Sequence, residues 1–69
     1  MESPCQSSPA GTYPHEKCDF YYACLGNGAG FEMPCAAHTL FDAVRKTCDH
    51  FQNVPEQNRM CSILPVWAK

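Results

Sequence analysis

The chain has 69 residues, a net charge of −2 and only 17% charged side chains, which makes it one domain at most and leaves no basic face for nucleic acid. Five Lys and Arg also exclude a cationic membrane-lytic peptide, and no apolar run approaches the roughly 20 residues that cross a bilayer. A chain this short buries little apolar surface, so the expected source of stability is its cysteines: Cys5, Cys18, Cys24, Cys35, Cys48 and Cys61.

Met1 to Gly11 is polar and rich in Ser and Pro, and reads as a linker or arm pinned at Cys5. No leader peptide is legible ahead of it, as expected of a mature secreted segment. Tyr13 is expected beneath that arm. Phe20 to Leu25 is a strand, because aromatic side chains suit a pleated surface. Its two central tyrosines, Tyr21 and Tyr22, must point to opposite faces, and Tyr22 is taken as the more exposed.

Gly26-Asn27-Gly28-Ala29-Gly30 supplies positive φ at little cost and forms the turn of a hairpin. Phe31 to Cys35 alternates as a half-buried strand does. Pro34 lacks an N–H, so this strand lies on an edge or ends there. A second hairpin pairs Thr39 to Phe41 with Lys46 to Cys48 around a turn at 42–45. Residues 53–59 then hold one helical turn, with Pro55 at its first position and Glu56 at the positive end of the dipole. In the tail, 62–69, the one notable residue is Trp67, either a staple or an added platform.

Six cysteines, an even number, read as an oxidised framework outside the cell. A zinc site would bring ligands in close pairs, yet the tightest cysteine spacing is Cys18 to Cys24, and His15, His38 and His50 are scattered. No metal or cofactor is expected. Fifteen pairings are open to six cysteines, and spacing does not choose among them. Each bridge contributes roughly 2–4 kcal/mol by restricting the unfolded chain.

Catalysis is not expected. Glycoside hydrolysis needs two carboxylates about 5–10 Å apart across a cleft, and a domain this small offers little cleft. With all cysteines paired no thiol nucleophile remains, and serine nucleophile motifs are absent.

The cysteine frame carries landmarks between its members: Gly11-Thr12-Tyr13-Pro14 ahead of Cys18, Tyr21-Tyr22 before Cys24, Leu40-Phe41-Asp42 between Cys35 and Cys48, then Cys48-Asp49 and Asn53-Val54. This pattern resembles the peritrophin-A type chitin-binding domain, carbohydrate-binding module family 14, over Cys5 to Cys61. The resemblance implies a small, mostly β, disulfide-rich fold with a three-stranded and a two-stranded antiparallel sheet. It implies the pairs Cys5–Cys24, Cys18–Cys61 and Cys35–Cys48. It sets an arm at 1–4, a domain at 5–61 and a tail at 62–69.

The implied function is non-catalytic, extracellular binding of chitin or N-acetylglucosamine oligomers, by a monomeric module that belongs to a larger protein or stands alone. Chitin offers flat apolar sugar faces rimmed by hydroxyl and N-acetyl groups, so a receptor needs exposed aromatic rings and a few polar side chains. Carried over by position, the ligand residues are Phe41, Asp42, Val44, Thr47 and His50, with Tyr22 added from the strand. Val44 and His50 stand where relatives carry aromatic rings, and Ala36 to Leu40 replaces the family's Pro-x-Gly-Leu. Each residue also has a structural role open to it: Phe41 as core, Asp42 as turn cap, His50 as packing. Alternative functions on the same frame are a defence or inhibitor peptide and a protein-interaction module.

Overall fold

A computed structural model describes residues 4–68. Three strands, β1 (Gly11–Pro14), β2 (Phe20–Cys24) and β3 (Gly30–Pro34), form an antiparallel sheet in the order β1-β2-β3. Two more, β4 (Thr39–Asp42) and β5 (Thr47–His50), form an antiparallel hairpin. Short 3-10 turns occupy Pro4–Gln6, Phe51–Asn53, Glu56–Asn58 and Val66–Ala68. The expected two-sheet architecture is the observed one, and all six cysteines pair as Cys5–Cys24, Cys18–Cys61 and Cys35–Cys48.

The first hairpin forms for the reasons its sequence suggests. Leu25 donates its N–H to the Ala29 carbonyl at 2.9 Å, and the Asn27 side chain accepts from the Ala29 N–H at 3.1 Å. Gly26 and Gly28 sit at φ +91° and +88°, where a Cβ is disfavoured. β3 is an edge strand, exposed along its whole length where alternation suggests half-burial, and Pro34 closes it opposite Phe20. The bounds of β3, β4 and β5 differ by a residue or two from expectation, because ladder pairing rather than side-chain pattern ends a strand.

Two larger differences concern the segments flanking the hairpins. Gly11–Pro14 is a strand, pairing Tyr13 with Tyr22, although Gly and Pro at its ends hide the alternation. Its Tyr13 is half-buried and donates its hydroxyl proton to the Pro9 carbonyl at 2.7 Å, which fixes the preceding loop. In the segment 53–59 the helical turn is only the 3-10 piece Glu56–Asn58. Pro55 precedes it with an extended ψ of 153° instead of opening it.

The main core lies between the second hairpin and the C-terminal segment: Leu40 and Val54 are fully buried against Cys18 and Ala68, with Phe51, Cys61 and Leu64 packed around them. Residues beyond Cys61 join this body. The N–H groups of Ser62 and Ile63 donate to the Glu16 carbonyl, and Ile63 bridges to Lys17. Residues 1–3 of the expected arm, and Lys69, lie outside the described residues. Among those described, no helix is long and apolar enough to cross a membrane.

Candidate functional site

The two sheets meet through their aromatic residues. In an antiparallel ladder directly paired residues share a face. Tyr21 therefore lies with Pro14 and Met33 on one face of the first sheet, and Tyr22 lies with Tyr13 and Glu32 on the other. The Tyr21 face meets the second hairpin, where Phe41 stacks on it with ring centroids 5.3 Å apart and planes 16° apart. The two sheets are tied nearby by the Phe41 N–H to the Cys18 carbonyl at 3.0 Å and by the Thr12 hydroxyl to the Lys46 carbonyl at 2.8 Å.

Beside this stack lies a surface depression of about 220 Å³, with Tyr21, Phe41, Thr12, Lys46, Thr47 and the Cys35–Cys48 bridge on its walls. Its chemistry is a ring surface edged by a phenol, an ammonium and hydroxyls. No carboxylate lines it.

The six residues singled out in the sequence fall in separate places. Phe41 is 4% exposed and contributes only an edge to the depression, while Thr47 is exposed on its wall. Val44 is exposed at the tip of the second hairpin. Tyr22 is half-buried on the far face of the first sheet, stacked on His15 at 4.6 Å. His15 accepts the Lys17 N–H at Nδ1 and shares its Nε2 with the Glu32 carboxylate. That hydrogen bond from His15 holds the Glu32 carboxyl below its usual pKa.

Asp42 is placed inside, with 0% exposure. Its Oδ1 accepts from the N–H groups of Val44 and Arg45 at 2.9 and 3.0 Å, its Oδ2 accepts the Arg45 Nε–H at 2.9 Å, and Asn58 Nδ2 donates to both oxygens. Burial would raise its pKa, but these donors outweigh burial and hold it at about 2. Its position is that of a turn-forming hub, with no edge toward solvent from which to touch a ligand.

His50 ends β5 in a different neighbourhood. Its ring stacks on Phe51 at 4.8 Å, and its Nδ1 accepts the Gln52 N–H at 3.3 Å. Trp67 stands edge-on to both Phe51, at 5.8 Å, and His38, at 5.4 Å.

Sequence reasoning missed three members of these surfaces. Tyr21 rather than Tyr22 faces the hairpin, and alternation alone cannot say which face a distant element covers. Thr12 and Lys46 reach the depression through tertiary pairing of β1 with the second hairpin. Among the described residues no three His, Cys, Asp or Glu side chains come together as metal ligands.

The model of the chitin-binding peritrophin-A domain matches residues 5–61. Chondroitin proteoglycan 1 of Caenorhabditis briggsae is 34% identical over 56 residues, covering 81% of this chain and 8% of that protein. Chondroitin proteoglycan 1 of Caenorhabditis elegans is 36% identical over 52 residues, covering 75% of this chain and 9% of that protein. The chain thus spans less than a tenth of the length of these relatives. No solved structure matches the chain. By the family model and by these identities, the chain belongs to the chitin-binding peritrophin-A domain family.

Proposed function

We propose that this module holds chitin or N-acetylglucosamine oligomers outside the cell, without catalysis, at the depression beside the Tyr21–Phe41 stack. The observation that carries this reading is an aromatic wall edged by neutral and cationic donors, next to a disulfide. Tyr21 offers the stacking surface, with Phe41 fixing its plane from behind. Thr47 addresses the hydroxyl and carbonyl rim of the sugar, and Val44 adds apolar surface at the hairpin tip. Asp42 acts through the turn it builds, and Tyr22 through the far side of its sheet. A non-catalytic role is supported by the carboxylates: none lines the depression, Asp42 is buried, and Asp49 and Glu32 are engaged by Arg45 and His15. The functional unit extends past Cys61, because Leu64 and Ala68 complete the core. Action as a module of a longer chain fits relatives of which this chain spans less than a tenth.

Retention of the oxidised protein on insoluble chitin tests the reading, with cellulose and a reduced sample as controls. Retention on chitin alone, lost on reduction, is expected. An oxidised, folded sample that passes through chitin unretained would move the assignment to a protein-interaction module, for which the exposed Val44, Met60 and Val66 offer apolar surface.

A further inference from the structure

The tail holds the chain's only tryptophan at the far end of the second hairpin, where two other rings meet it and a third stacks on one of those. Trp67 meets His38 at 81° and Phe51 at 70°, and Phe51 in turn stacks on His50 at 29°. A residue that merely stapled the tail would be covered. Here Ala68, 8% exposed, and Leu64 do the anchoring, while Trp67 remains 37% exposed on a 3-10 turn closed by the Ala68 N–H to the Pro65 carbonyl. The ring is thus held firmly and left open.

A second observation is the backbone of His38. Its φ is +61°, a conformation rare for residues other than glycine, and it is retained at the residue whose ring meets Trp67. The neighbouring backbone is tied on both sides, by Thr39 N–H to the Ala36 carbonyl at 3.0 Å and by Phe51 N–H to the His38 carbonyl at 3.1 Å.

The cluster is continuous with the depression. His50 pairs with Thr39 and Cys48 with Phe41, so all four lie on one face of the hairpin. His50 stands one two-residue step, about 7 Å, beyond Cys48 along β5.

We infer that Trp67, Phe51, His50 and His38 form a second sugar-stacking platform, which lets one β-linked N-acetylglucosamine chain lie across both the depression and the tail. This rests on the proposed chitin-binding function. Trp67 supplies the stacking ring, and the exposed imidazoles of His38 and His50 supply polar contacts for the sugar rim. A short oligomer occupies one platform. A longer one engages the second as an intramolecular event, so affinity rises with length without any change in the protein.

Because Trp67 is the single tryptophan, its fluorescence reports on this platform alone. The full chain is titrated with N-acetylglucosamine dimer and hexamer while emission and acrylamide quenching are followed. The hexamer is expected to shift Trp67 emission and protect it from quenching, and to bind at least tenfold more tightly than the dimer. Trp67→Ala, with no free thiols on titration, is expected to lose at least fivefold of that length gain when both oligomers are titrated calorimetrically. His38→Gly relieves the backbone and deletes one ring, so it separates ring loss from any folding defect; it should lower the hexamer gain in the same direction. Chitin retention with unchanged Trp67 fluorescence and an intact length gain in His38→Gly overturns the second platform and leaves the chitin reading standing. No retention of the unmodified protein on chitin overturns both.

Discussion

Tyr21 and Phe41 lie nearly parallel across the junction of the two sheets, 5.3 Å apart, and only Tyr21 shows appreciable surface. The pair divides its labour. Phe41 is the buried half, fixing the plane and distance of a ring that meets solvent.

That division separates stability from binding. Phe41→Ala removes a buried ring and should cost about 3–5 kcal/mol, seen as a lower melting temperature of the oxidised protein. Tyr21→Leu keeps apolar volume at a half-buried position and should cost about 1 kcal/mol, yet it removes the stacking face. Chitin retention is expected to fall at least fivefold in Tyr21→Leu, with no free thiols on titration. Retention equal to that of the unmodified protein would reduce the stack to a framework contact.

Asp42 predicts an acid limit to stability. Its folded pKa of about 2 lies below the usual 3.8, so the stabilisation is fully present above 3.8 and is lost as pH falls toward 2. A shift of this size corresponds to roughly 2 kcal/mol. The Asp49 and Glu32 carboxyls are also held low, so they add to the loss in the same direction. Asp42→Asn should cost about 3 kcal/mol at neutral pH, because the new amide sets a donor against Arg45 and Asn58. Melting temperatures at pH 6 and pH 2 check this. The mutant should show a smaller difference between the two, and an equal difference would remove Asp42 from the acid response.

The same residue marks how far the sequence could be read. Asp after Phe41 announces a turn, and Asp42 does accept the N–H groups of Val44 and Arg45. Its complete burial depends on Asn58, sixteen residues on, which no local pattern reveals. The first hairpin was legible because Gly26 to Gly30 has one purpose. β1 was not, because Gly11 and Pro14 carry no strand pattern and its pairing is tertiary. The cysteine count implied a framework, but the pairing came only with the family resemblance. Trp67 lies outside the cysteine frame, and only packing brings it to Phe51 and His38.

Gly30 opens β3 directly beside a bridge. It faces Cys24 across the ladder, and a Cβ there would collide with Cys5 Sγ and stand 2.6 Å from the Ala23 carbonyl oxygen. Because both obstacles are a disulfide and backbone, neither yields cheaply. Gly30→Ala is therefore expected to hinder closure of Cys5–Cys24 and to leave about two titratable thiols after oxidative refolding. The other two bridges should form, as mapped by proteolysis under non-reducing conditions. A fully oxidised mutant with an unchanged melting temperature would contradict the tight fit of Gly30 against the bridge.

Lys46 allows a last prediction, because its backbone and its side chain do different things. It adopts φ +60° at the end of the second hairpin's turn, where its N–H donates to the Asp42 carbonyl at 2.7 Å and its carbonyl accepts from Thr12. A left-handed conformation costs a residue with a Cβ about 1 kcal/mol that glycine does not incur. Lys46→Gly should thus leave stability within about 1 kcal/mol of the unmodified protein, since the backbone hydrogen bonds survive and the relieved strain offsets the greater unfolded-chain entropy of glycine. It also deletes the one cation on the wall of the depression. If stacking and neutral hydrogen bonds carry the sugar, chitin retention changes less than twofold in this mutant, and retention of the unmodified protein varies equally little between low and moderate salt. A large loss of retention on either change would instead assign the ammonium a direct ionic role, and would shift the ligand from a neutral amino-sugar polymer to an anionic one.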